Sequence, residues 1–179
     1  MHIYQGTTPY YDEGFARSTD LGTLTHLAIA RLAHPGPTPT LSRQTQVIAA
    51  LLEGVRPIEK RAHRQNLRAA VMAYFSRLAL PPQWELLATE SPLGRGRIDL
   101  AWRDNDGRIL LDEVKTGHHC LLRTTAVQMQ VHGYITSART LWGTAFLGCR
   151  LLSTHDPGSS TYTDTSLRTV PLVQTSYRK

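Results

Sequence analysis

Between Gly96 and Lys115 the residue pattern admits little other than a β-hairpin, and this segment constrains the rest of the fold. Over residues 96–103, Ile98, Leu100 and Trp102 alternate with Asp99, Ala101 and Arg103, the period of a strand with one apolar face. Asp104-Asn105-Asp106-Gly107 follows, a run of residues that tolerate the left-handed backbone of a tight turn. The returning segment, Arg108 to Lys115, keeps the period of two. Leu111, Glu113 and Lys115 share one face; Leu110, Asp112 and Val114 share the other. Glu113 and Lys115 therefore point the same way, and an antiparallel return brings Asp99 close to them.

Two carboxylates and a lysine in this arrangement suit phosphodiester hydrolysis. Mg²⁺ or Mn²⁺ prefers hard oxygen ligands, and one or two carboxylates with phosphate and water are enough to hold it. Such an ion makes water more acidic, polarises a phosphoryl oxygen and orients the leaving group. Lys115 would position the attacking water or offset developing negative charge. On the residues alone, Glu113-Val114-Lys115 reads equally as a weak ion pair on a solvated strand.

Other polar residues also have two readings. Gln130 and Tyr134 are four apart and share a helix face, yet Tyr134 also continues the apolar stripe of Val127, Val131, Ile135 and Ala138. His26 lies in the apolar helical stretch Leu24–Ala30, where a lone histidine reads as a hydrogen-bonded, half-core residue. Glu85 and Glu90 precede Asp99 on a strand, as extra ligands or as ordinary surface charges. His118 and His119 read as loop residues.

Taken together, these pieces resemble the RecB-like branch of the PD-(D/E)xK nuclease superfamily. Gly96-Arg97-Ile98-Asp99-Leu100 and Leu111-Asp112-Glu113-Val114-Lys115-Thr116-Gly117 are similar to its core motif. Gln130-Val131-His132-Gly133-Tyr134 is similar to its Gln-x-x-x-Tyr helix, and Gly22-Thr23-Leu24-Thr25-His26 to its N-terminal Gly-x-x-x-His helix. The four pieces occur in family order over residues 22–134. The resemblance implies that His26, Asp99 and Glu113 ligate the metal together with the Val114 carbonyl. It implies that Lys115 is the catalytic lysine and that Gln130 and Tyr134 line the site. It also supplies the preference for DNA; the residues themselves are equally compatible with RNA. Members that carry an iron–sulfur cluster use four cysteines, whereas this chain has two, so no such cluster is expected. No Gly-rich phosphate loop is recognisable in the sequence, so no helicase portion is expected.

Charge points the same way. The net charge is +6 and the sequence pI about 9.7, a balance that favours a polyanionic partner, nucleic acid ahead of membrane. Residues 57–80 read as a long helix, with Pro57 at its start and Pro81-Pro82 at its end. Ile58, Ala62, Val71, Phe75 and Leu78 form its apolar side. Lys60, Arg64 and Arg68 recur every fourth residue, with Arg61 beside them. This stripe is a solvated face or a phosphate-backbone contact. Arg95 and Arg97 flank Asp99 and could contact phosphate in the same way. No base-reading module is recognisable.

The expected fold class is α/β (α+β mixed): a restriction-endonuclease-like core in the order α-β-β-β-α-β, with additional N-terminal helices packed around a small mixed sheet. Helices are expected at 21–33, from a Ser42 cap to about Glu53, at 57–80 and at 122–138. Strands are expected near 83–90, 96–103, 108–115 and 141–152. His34 to Pro39 is a stiff break. Residues 1–20 read as irregular and 153–179 as a polar extension, with a short edge strand at Thr169–Val173. At 179 residues, the chain is expected to form one domain, 1–179. It has no apolar run long enough to span a bilayer, and Met1–Gln5 carry no signal-peptide pattern, so the expected compartment is the cytoplasm. The leading expectation is a Mg²⁺- or Mn²⁺-dependent nuclease acting on DNA, exonuclease-like or part of a repair, recombination or defence complex. A protein partner or a homo-oligomer fits both this reading and the alternative, a non-cleaving nucleic-acid-binding or accessory subunit on the same fold.

Overall fold

A computed structural model describes residues 20–34, 38–117 and 122–162. The expectations for the N-terminal segment, for the break at 35–37, for His118 and His119 and for the strand at 169–173 lie outside these residues.

Alternation and turn chemistry produce the hairpin expected of them. Strands β1 (Glu85–Leu93), β2 (Gly96–Arg103) and β3 (Ile109–Lys115) run antiparallel in sequence order. The Asp104 carboxylate closes the β2–β3 turn by accepting the backbone N–H groups of Asp106 and Arg108. A parallel neighbour needs a crossover, and helix α4 (Thr125–Trp142) supplies it, delivering strand β4 (Phe146–Ser153) parallel to β3. A two-residue strand β5 (Thr161–Tyr162) completes a five-stranded sheet in the order β1-β2-β3-β4-β5. The mixed α/β architecture and its α-β-β-β-α-β core order are as expected from the sequence.

Each face of the sheet has its own cover. Leu111 and Leu151 meet Val131, Tyr134 and Ala138 of α4 on one face. On the other, Leu100, Trp102, Leu110 and Val114 meet Ile29 and Ala33 of helix α1 (Leu21–Ala33), with Tyr74 and Leu78. Behind α1, Leu24, Leu27, Ala28 and Leu32 pack with helix α2 (Leu41–Leu51) and with Leu67 and Val71 of helix α3 (Pro57–Ala73). Helix α1 is therefore sandwiched between the sheet and the other helices. This explains why its sequence is apolar nearly all round.

Several local expectations are corrected. Thr40, not Ser42, caps α2: its hydroxyl accepts the Arg43 N–H, and the helix starts at Leu41. Ile58 is 89% exposed and Ala62 is also exposed, because α3 reaches its helical neighbours only from Leu67 onward. The same helix ends in a π-helical turn, Tyr74–Leu78, that swings Tyr74 and Leu78 onto the sheet. Helix α4 runs on to Trp142 and stops at Gly143 (φ 54°), so β4 begins at Phe146 rather than near residue 141. Ile98 packs on the α4 side, not with Leu100 and Trp102. The β1–β2 turn lies tight against α4 there: a Cβ on Gly96 would come within 2.6 Å of the Tyr134 ring. No helix among the described residues is long and apolar enough to cross a membrane.

Candidate active site

The β2–β3 ladder stops at the pair Leu100–Asp112. One residue further on, the Asp99 carboxylate replaces it: Oδ2 accepts the Val114 backbone N–H at 2.6 Å. A side chain thus takes the place of a backbone partner where the β2–β3 ladder ends, and a polar notch lies at this end of the sheet. Glu113 and Lys115 enter it from β3, on the same face as Leu111, as the period of two requires. Glu113 Oε1 accepts from Lys115 Nζ at 2.5 Å, and Lys115 Nζ also donates to Gln130 Oε1 at 3.2 Å. Gln130 Nε2 donates to the Tyr134 hydroxyl at 2.6 Å, which in turn donates to the Arg97 carbonyl at 2.6 Å. A continuous run of hydrogen bonds thus joins the β2 backbone, two side chains of α4 and the lysine of β3.

Helix α1 reaches the notch through its first turn. Gly22 lies beside Thr116, the residue after Lys115, and a Cβ there would approach the Thr116 hydroxyl to 3.4 Å. His26, four residues on, falls on the same helix face. Its Nδ1 stands 3.0 Å from Asp99 Oδ1 and 3.8 Å from Glu90 Oε1. Glu90 comes from β1, is buried, and turns its other oxygen to Arg97 Nε at 3.3 Å.

Crowding of buried acids in the notch sets the electrostatics. Burial, then the charge of Asp99, raises both Glu90 and Glu113 to about 7, although His26 and Arg97 oppose the shift at Glu90 and Lys115 opposes it at Glu113. Burial alone would lower His26, but Asp99, by charge and hydrogen bond, with Glu90 and Glu113, carries it up to about 9. Tyr134 is pushed up to about 12, by burial first and by Glu113 second.

The donor set suits a hard divalent cation. Ligand atoms of His26, Glu90 and Asp99 all lie within 4.8 Å of one another. Among the described residues, three buried side-chain oxygens lack a hydrogen-bond partner, and two of these, Glu90 Oε1 and Glu113 Oε2, are carboxylate oxygens of this notch. Buried polar atoms are rarely left so, and a cation held by His26, Glu90 and Asp99 would satisfy Glu90 Oε1.

The structure thus brings together His26, Asp99, Glu113, Lys115, Gln130 and Tyr134, residues that span more than a hundred positions of the chain. The close three-residue group contains Glu90 where the sequence motif suggested Glu113. Glu85, the other acid of β1, is exposed and pairs with Arg103. Arg95 is exposed in the β1–β2 turn, and Arg97 is half-buried against Glu90. Arg61, Arg64 and Arg68 are exposed on α3 and Lys60 is partly so, on an element separate from the notch.

A buried pair on the opposite face escaped the sequence reading. Arg150 of β4 and Asp112 of β3 are both fully buried, joined through Arg150 Nε to Oδ1 at 2.7 Å and Nη2 to Oδ2 at 2.6 Å. Asp112 Oδ2 also accepts from the Tyr74 hydroxyl and the Trp102 indole, each at 3.0 Å, and Arg150 Nη1 donates to the Leu78 carbonyl at 2.9 Å. The signal was present: an arginine inside the apolar run of residues 146–152, and an aspartate alternating with Leu110 and Val114. Each demands a buried countercharge.

This architecture, with a carboxylate–lysine notch at the end of a mixed sheet, is that of a nuclease-type protein. The sequence model of the PD-(D/E)XK nuclease superfamily matches residues 2–170, and the chain belongs to that superfamily. No curated protein matches the chain.

Proposed function

We propose that this protein is a divalent-metal-dependent nuclease of the RecB-like kind that hydrolyses phosphodiester bonds in DNA. The observation that carries the reading is the notch itself. Asp99, Glu113 and Lys115 meet where the β2–β3 ladder ends, with two carboxylate oxygens of the notch buried and without a hydrogen-bond partner. His26, Asp99 and Glu113 would hold the cation, which when bound would polarise the phosphate and acidify water beside it.

The remaining chemistry belongs to the chain. Lys115 is held from two sides, by Glu113 and by Gln130, so its ammonium is oriented before substrate arrives. An oriented positive charge in a low-dielectric notch stabilises the phosphorane-like charge of the transition state more than the ground state. Tyr134 serves Gln130: both its donor and its acceptor roles are occupied. The supporting test is cleavage of linear and closed-circular DNA, single- and double-stranded, with Mg²⁺, with Mn²⁺ and with chelator. Metal-dependent cleavage of linear substrates alone would make the protein an exonuclease. Absence of cleavage in every condition would favour a binding or accessory subunit.

Cation binding should depend on pH in a defined direction. At pH 7 His26, held up at about 9, carries a proton, while burial beside Asp99 raises Glu90 and Glu113 well above the usual carboxylate range, so that both retain part of their protons. Ligation needs neutral imidazole and ionised carboxylates, so binding expels protons. Mn²⁺ affinity should therefore rise with pH from 6 through 9. Calorimetric titration in two buffers of different ionisation enthalpy should report net proton release, and a flat profile would contradict this protonation scheme.

The exposed stripe of α3 is the proposed backbone contact for nucleic acid, with Arg95 and Arg97 nearer the notch. Replacing Lys60, Arg64 and Arg68 together by alanine should weaken DNA binding. It should also reduce the slope of log K against log salt by about 2–3, on the order of 0.9 for each phosphate no longer neutralised. An unchanged slope would place the DNA path elsewhere.

A further inference from the structure

Glu90 carries three costs at once. It is the only non-glycine residue with a left-handed backbone among the described residues, at φ 45°. Glutamate gains nothing from that conformation, which glycine or asparagine adopts more readily. Its carboxylate is buried beside Asp99, a like charge, and its Oε1 has no hydrogen-bond partner. The neighbouring Thr89 hydroxyl is buried and unpartnered as well. Strain of this kind persists where the surrounding structure enforces it, and it clusters at sites of function.

A purely structural role accounts for only half of the side chain. The pairing of Oε2 with Arg97 Nε would explain a polar residue at this position, and glutamine would serve. It leaves Oε1 with only a long contact of 3.8 Å to His26 Nδ1 and within 4.8 Å of Asp99 Oδ1, which repels it. A cation at that point would satisfy all three atoms. Glu113 lies outside this close group, with its Oε1 engaged by Lys115.

We propose that Glu90 is a ligand of the divalent cation alongside His26 and Asp99, and that Arg97 steers it by holding its second oxygen. The left-handed turn at Glu90 is then the backbone distortion that brings a β1 side chain into a site built by α1, β2 and β3. This assignment rests on the metal-dependent reading above and names a ligand that the sequence motif does not contain.

The test is calorimetric titration of the metal-free protein with Mn²⁺ for the parent, Glu90→Gln and Asp99→Asn, together with thermal unfolding of each without metal. Glu90→Gln keeps the shape and the Arg97 pairing but removes the charge. It should lower Mn²⁺ affinity at least about tenfold, the scale seen even for groups that only orient ligands. Its metal-free melting temperature should stay level or rise by about 2–4 °C, because the crowding against Asp99 is relieved. Parent-like affinity in Glu90→Gln would overturn the proposal while leaving the nuclease reading intact. A lower metal-free melting temperature would overturn it too, by showing that Glu90 holds the fold. A parent that binds no Mn²⁺, or an Asp99→Asn variant that binds like the parent, would bring down the underlying reading and this assignment with it.

Discussion

Asp112→Ala should destabilise the protein by about 3–5 kcal/mol, the usual result of stripping one partner from a buried ion pair. The substitution leaves the fully buried Arg150 guanidinium without its carboxylate and removes the acceptor of both Tyr74 and Trp102. These partners come from β2, β4 and the π-helical turn, so one deletion loosens three elements behind the notch. Native domains are stable by only about 5–15 kcal/mol, so the variant should unfold at a much lower denaturant concentration. Urea unfolding at neutral pH checks this: the midpoint should drop with little change in slope. Replacing Asp112 and Arg150 together by apolar residues of similar volume should be far milder, since no orphaned charge remains. A loss below about 1 kcal/mol for Asp112→Ala would mean that the pair is not the clamp its geometry describes.

Lys115→Ala should reduce turnover by about 10²–10³-fold, the typical cost of removing one oriented charge or donor from a transition state. The lysine is partly exposed at the mouth of the notch, and its loss breaks no core packing. Folding and DNA affinity should therefore hold, and the defect should fall on kcat rather than KM. Glu113 Oε1 loses its ammonium partner, so Mn²⁺ binding is expected to remain. Single-turnover cleavage at saturating Mn²⁺, beside a binding titration, separates these effects. If the variant cleaves like the parent, Lys115 is not the catalytic lysine and the notch needs a different assignment.

Some of this was legible without a structure because it depends on local chemistry. The period of two across residues 96–115 dictated which side chains of β3 share a face, and Glu113 with Lys115 came out on one side as read. Helix α1 has the expected limits, Leu21 to Ala33, with the Asp20 side chain accepting from the Thr23 N–H at its start. Helix α3 was legible from its two proline borders. Its buried face was misjudged, since helical periodicity tells which residues align and not how far along the helix a neighbour extends. Ile58 lies on the expected stripe and faces solvent. The extent of α4 was missed for a related reason: Leu141 and Trp142 suit a strand as well as a helix, and Gly143 decides between them only through its left-handed φ.

The sequence by itself determined the β2–β3 hairpin, its turn and the face that Glu113 shares with Lys115, because strand period and turn residues act over a few positions. Only the tertiary structure decided how the acid–lysine set is completed. Where the β2–β3 ladder ends, one side-chain bond, from the Val114 N–H to Asp99, takes over, and no pattern announces it. His26 reaches Asp99 because α1 is wedged against the sheet, and Glu90, at φ 45°, meets both from β1. Arg150 finds Asp112 only because the α4 crossover lays β4 parallel to β3. These pairings join distant segments and are set by packing, and a one-dimensional pattern holds no record of the distances they require.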